Sequence, residues 1–125
     1  DPNVRARIAR AAPVSAADYI SNVRARVAAI ARADEALSDF DILVLPTTPI
    51  VAPKMSEVAS AEGFSRLNPL LLRNPSMINF LDLCAISLPM TLGNELPCGL
   101  MLVGRHNHDA RLLQIAAAIE PLLRD

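Results

Sequence analysis

Aliphatic side chains recur at three- and four-residue steps through Ile20, Val23, Val27, Ile30 and Leu37. At 3.6 residues per turn they fall on one stripe, predicting a long helix of about six turns over residues 15–39. Arg24, Arg26 and Arg32 lie mostly off that stripe. Ser15 followed by Asp18 resembles a capping box, which would satisfy the first orphan N–H groups of this helix. Ahead of it, Asp1-Pro2 offers an N-cap and a first helical residue. Val4, Ile8 and Ala12 then mark one face of a lead-in helix within residues 1–14, interrupted by Pro13.

The pattern changes at Ile42-Leu43-Val44-Leu45, which is apolar throughout and reads as a strand covered on both faces and stopped by Pro46. Residues 46–66, with three prolines and Gly63, read as a long irregular loop. Asn68-Pro69 and Asn74-Pro75 each pair an N-cap with a first helical residue, predicting two short helices, the second running to about Cys84. Ala85–Met90 is an apolar strand closed by Pro89. A turn at Gly93-Asn94 leads to a second strand at Cys98–Val103, ended by Gly104, and the short connection implies an antiparallel pair. Asn107 can cap a closing helix with Leu112, Leu113, Ile115, Ala116, Ile119 and Leu122 on its apolar face. The fold class is therefore α/β, with few mixed or antiparallel strands flanked by helices. Strands covered on both faces need more neighbours than three, so the sheet is incomplete: either other sequence supplies the missing strands or two copies join edges.

Composition sharpens this picture. The 125 residues suffice for one domain with a core. They are 52% apolar but only 3% aromatic, so the core is aliphatic and some apolar surface is left for a partner. A net charge of −1 gives no general attraction to nucleic acid or acidic membrane. Arg5, Arg7, Arg10, Arg24, Arg26 and Arg32 make the first third basic, but acids interrupt them and Tyr19 is the sole aromatic there, so a solvated helix face accounts for them. Cys84 and Cys98 sit in apolar runs without a CxxC, as small hydrophobes of a reducing, cytoplasmic compartment do. No apolar run is long enough to span a bilayer.

Candidate chemistry within the chain is thin. Lys54 and Ser56 could form a Ser–Lys dyad, yet no glycine-rich elbow surrounds Ser56, and a loop lysine beside a turn serine explains both. His106, His108 and Asp109, with Cys98 nearby, could suggest a metal, but two turn histidines fall short of four ligands, and loop polarity and helix capping explain them better. The four glycines never cluster into a phosphate loop. The residues alone thus give no catalytic set, no metal site and no cofactor.

Four segments in order carry a resemblance: "SAADYI" opening a long helix, "FDILVLPTTPIVAP", "NFLDLCAISLP" and "LPCGLMLVG". Together they resemble the C-terminal end of amidase-signature hydrolases, from about Ser15 to Glu120. Such enzymes hydrolyse amides with a Ser–cis-Ser–Lys triad and an oxyanion hole of backbone N–H groups, in a Gly/Ser-rich stretch that has no match here. The resemblance therefore implies a single C-terminal fragment over residues 1–125, with its catalytic residues upstream and the rest of the amidase chain as its partner. It implies a small-molecule amide as substrate of the intact enzyme and inactivity of the isolated chain. It also places Thr47 and Thr48, and Asn74, Ser76 and Met77 in the stretch before Asn79, along the substrate cavity. Where many relatives read Arg-Asn-Thr this chain has Arg73-Asn74-Pro75, and Cys84 stands where many have proline, so the amide itself stays open.

Two other readings fit the same residues: a self-associating scaffold without enzymatic activity, and a fragment of a tRNA-linked amidotransferase subunit. Unpaired strand edges and an apolar helix face lead to self-association in any of the three.

Overall fold

The computed structural model describes residues 2–90 and 96–123. The predicted cap at Asp1 and turn at Gly93-Asn94 lie outside the described residues. Helix α1 (Pro2–Ala9) ends before Pro13, and turns carry the chain to α2 (Ala16–Ala36). The capping box forms: Ser15 Oγ accepts from the Asp18 N–H at 3.1 Å, and the Ser15 N–H donates back to the Asp18 carboxylate at 3.3 Å. The Ser15 hydroxyl also donates to the Asp18 carboxylate at 2.6 Å, and that bond, with the one from the Ser15 N–H, holds the Asp18 carboxyl below its usual range. The helix stops three residues earlier than expected, with Leu37 as its C-cap.

Strands β1 (Leu43–Pro46), β2 (Cys84–Met90) and β3 (Cys98–Gly104) form one antiparallel sheet in the order β1-β3-β2. Leu45 faces Met101 across one seam, and Ser87 faces Met101 across the other. Pro46 is the last residue of β1, as the pattern predicts, whereas Pro89 lies inside β2, one residue before its end at Met90. β1 and β2 are the outer strands, where a residue without an N–H can sit with its nitrogen off the ladder. β1 is not covered on both faces either: Leu43 and Val44 are 41% and 48% exposed. Coverage on both faces belongs to the central strand, where Met101, Leu102 and Val103 are all buried.

Alternation along β3 divides the core. Leu102 and Leu88 meet Leu112 and Ala116 of α5 (Asp109–Ile119), whereas Met101 and Val103 meet Ile78 of α4 (Ala61–Phe80). The sheet is thus sandwiched, α5 on one face and α4 on the other. Its hydrophobic face contacts are the main source of stability, since burying one Leu fully contributes roughly 1.5–3 kcal/mol.

The stretch 46–66 is not a loop throughout: it contains the short helix α3 (Met55–Val58) and the start of α4. The two short helices expected at Asn68 and Asn74 are one helix of 20 residues with Pro69 and Pro75 inside it. Its N-cap is Ser60, whose hydroxyl accepts from the Gly63 N–H at 3.0 Å. Gly63 also permits α3 to close against α4, since a methyl there would strike the Glu57 carbonyl. Burial of Gly63, Leu67 and Ile78 along one face sustains the helix past both prolines. At the end of α4, Asp82 takes a left-handed turn (φ 60°). Asn107 does the same (φ 61°) just before α5, so it bends the chain and His108 occupies the cap position. A 3-10 turn, Glu120–Leu123, follows α5.

Candidate functional site

Polar groups gather where β1 leaves the sheet on the α4 side. The Thr47 N–H extends the ladder by donating to the Gly99 carbonyl at 2.8 Å. The Thr47 hydroxyl lies 2.5 Å from that of Ser87 on β2, across the central strand. Asn74, midway along α4, donates its side-chain amide to the Pro46 carbonyl at 2.8 Å. It accepts from the Arg73 guanidinium at 3.3 Å. The Thr48 hydroxyl donates to the Ile50 carbonyl at 2.8 Å, closing the next turn of the loop on itself. The start of loop 47–54 is thus pinned from three sides.

The structure brings Thr47 and Asn74 together at this corner, but the five residues expected to border substrate do not share one hollow. Ser76 and Met77 line a groove of about 650 Å³ between α1 and α4, with Arg7, Leu72, Arg73 and Phe80. Asn74 and Met77 line a second, about 390 Å³, closed by Ala33 and Leu37 of the α2 end and by Leu43 and Leu45. Thr48 lines a third of about 220 Å³ with Ile50, Met90 and Cys98. Met77 therefore joins the first two, and Thr48 stands apart. Ser87 and Gly99 carried no signal in the sequence. Both sit inside apolar strands, and their relation to Thr47 exists only once β3 inserts between β1 and β2.

At the opposite end of the sheet lies a charged cluster. The Arg105 guanidinium grips the Asp34 carboxylate with two hydrogen bonds, 2.7 and 2.8 Å. That grip holds the Asp34 carboxyl below its usual range and raises the Arg105 guanidinium. Arg26 donates to the Phe80 and Asn79 carbonyls at 2.8 and 3.4 Å and rests over the Phe80 ring. His106 Nδ1 lies 2.9 Å from the Asp82 carbonyl. On the surface of α5, Arg111 pairs with Asp41.

The histidines follow Gly104, whereas Cys98 opens β3, which separates them by roughly 20 Å at the usual strand rise. Among the described residues no group of three His, Cys, Asp or Glu could hold a metal ion. The half-buried Cys84 thiol donates to the Arg105 carbonyl at 3.2 Å, and burial pushes its pKa up, keeping it a protonated thiol at neutral pH. Lys54 and Ser56 are exposed at the start of α3, where the Lys54 N–H donates to the Glu57 carboxylate at 2.8 Å. This is a helix cap. No described helix is long and apolar enough to cross a membrane.

The sequence profile of the Amidase family matches residues 1–113. The chain is 33% identical over 124 residues to 2-amino-5-chloromuconic acid deaminase of Comamonas testosteroni, spanning 98% of this chain and 27% of that protein. It is 32% identical to a fatty acid amide hydrolase of Oryza sativa, spanning 96% of this chain and 20% of the relative. The fold superposes on allophanate hydrolase from Kluyveromyces lactis with a TM-score of 0.81 and 30% identity, over 93% of this chain and 19% of that one. A glutamyl-tRNA(Gln) amidotransferase component from Thermotoga maritima gives a TM-score of 0.64 at 30% identity, over 95% of this chain and 26% of that one. The chain thus spans about a quarter or less of these relatives.

Proposed function

This chain belongs to the Amidase family, and from that premise we propose that it is the C-terminal segment of an amidase-signature hydrolase of C–N bonds. The observation that carries this reading is the family match across residues 1–113, with relatives several times longer than the chain. The Ser–cis-Ser–Lys residues are assigned to sequence upstream. There the lysine deprotonates the bridging serine, which takes the nucleophile's proton as it attacks the amide carbonyl. The C–N bond breaks, the amine leaves with that proton, and water then hydrolyses the acyl-enzyme. This segment supplies part of the substrate wall, for which Thr47, Thr48, Asn74, Ser76 and Met77 are the candidates. The pinning of Pro46 and Thr47 supports that role, because a wall orients substrate only if it is held in place beforehand.

The substrate class is a small-molecule amide, no cofactor is required, and the location is cytoplasmic. The remainder of the amidase chain is the partner of the uncovered strand and helix faces. In its absence, copies of the segment associate with one another. A second reading, a piece of a tRNA-linked amidotransferase, draws on the likeness to the Thermotoga maritima protein.

Hydrolysis of a panel of primary amides, followed by ammonia release, tests the proposal. The full-length protein is expected to turn over, and the 125-residue chain to be inert. Lys54→Ala and Ser56→Ala in the full-length protein are expected to leave turnover intact. Activity of the isolated chain, abolished by either substitution, would overturn the reading. Ammonia release that requires co-purifying proteins would favour the amidotransferase.

A further inference from the structure

Resting on the hydrolase reading, we infer that Ser87 is a positioning residue of the substrate wall. Its hydroxyl, reaching over the side-chain-free Gly99, holds the Thr47 hydroxyl and with it the loop that starts there. β1 and β2 are not neighbours, because β3 lies between them. Strands two apart in a sheet are separated by roughly 9.6 Å, twice the usual spacing, so their side chains do not ordinarily meet. Here Thr47 Oγ1 and Ser87 Oγ approach to 2.5 Å. The space exists because the intervening residue is glycine. A Cβ on Gly99 would sit 2.5 Å from Ser87 Oγ and 2.6 Å from Thr47 Oγ1. Any other residue at position 99 would have to push the two hydroxyls apart.

The bridge sits at the edge of the sheet and not in its core. Ser87 is exposed, while Leu102, Met101 and Val103 are sealed a few residues away. Removing an exposed hydroxyl costs the fold little. It does release the Thr47 side chain, leaving that residue held by its N–H bond to Gly99 alone, beside Pro46, which Asn74 holds. A loosened wall costs binding geometry, and its effect appears in how well substrate is held, with chemistry at an upstream triad left alone.

The experiment uses the full-length protein and primary amides from acetamide to hexanamide, with benzamide as a bulky member. Ser87→Ala is expected to raise KM by about 5- to 10-fold with kcat within about twofold. Thr47→Val should match it, and the double variant should be no worse than either single, the signature of two groups acting as one. Ser87→Thr, which keeps a hydroxyl, should restore KM to within about twofold of the parent. Gly99→Ala, with both hydroxyls present but forced apart, should reproduce Ser87→Ala. Unchanged KM in Ser87→Ala, or losses that multiply in the double variant, would overturn the inference. If the parent hydrolyses none of the panel, the hydrolase reading fails separately. The bridge itself is then read by hydrogen exchange: Ser87→Ala should speed exchange of the Thr47 N–H about tenfold, and an unchanged rate would overturn it.

Discussion

β3 and α5 bury Leu102, Leu112 and Ala116 against each other, whereas the longer α2 buries no residue and is moored by charged groups. Asp34 to Arg105, and Arg26 to the end of α4, hold α2 in place. The first half of its apolar stripe meanwhile faces outward, with Ile20 51%, Val23 44% and Val27 62% exposed, while Ile30 and Leu37 are half-buried. Both helices are amphipathic and well formed, so amphipathicity does not by itself tell which face is covered within the chain. One half of the molecule closes its own core. The other half leaves apolar residues of α2 uncovered among the described residues.

The most severe way to break the contrast is to open a cavity on the closed side. Leu102→Ala, at a fully buried site, should cost about 2–5 kcal/mol in urea unfolding, and Val27→Ala on α2 less than about 0.5 kcal/mol. Equal losses would mean that α2 is packed as tightly as the sheet. Association tests the outward face next. The isolated chain is expected to scatter light as an oligomer, and Val23→Asp with Val27→Asp should bring its mass down toward the monomer while circular dichroism stays unchanged. A monomer at high concentration before any substitution would show that the stripe does not need cover.

The smallest effect concerns the mooring. The Arg105 hydrogen bonds lower the Asp34 pKa below 3.8, so the pair is fully formed above that pH and is lost as pH falls through the lowered value. Protection of the α2 amides, after correction for the intrinsic pH dependence of exchange, should therefore fall in acid and in high salt, where exposed charges are screened. Asp34→Asn should already show fast α2 exchange at neutral pH, with no further acid step.

The same contrast between local and distant contacts separates what could be read from the sequence. The Ser15–Asp18 capping box is local, involving residues three apart, and it forms as the pattern predicted. The central strand was legible as an unbroken apolar run. The α4 helix was not, because Asn68-Pro69 and Asn74-Pro75 carry the local marks of two helix starts. Burial of Leu67 and Ile78 along one face outweighs those marks, and it depends on contacts distant in sequence. Apolar content misled at β1, where a run that looks doubly covered is an exposed edge. Thr47 and Asn74 could be placed near one another only through a family resemblance. Ser87, 40 positions from Thr47, had no local mark at all.

The strand order has a temporal meaning as well. Leu43 pairs with Val103, which is made sixty residues later, and β2 pairs with the same late strand. As the chain leaves the ribosome, both outer strands are complete before the element that joins them exists. Such long-range closure is slow, and in the interval their apolar edges are open to other nascent chains. A truncation just before Cys98 would remove one strand of three and with it every pairing in the sheet, leaving a product for chaperones and proteases.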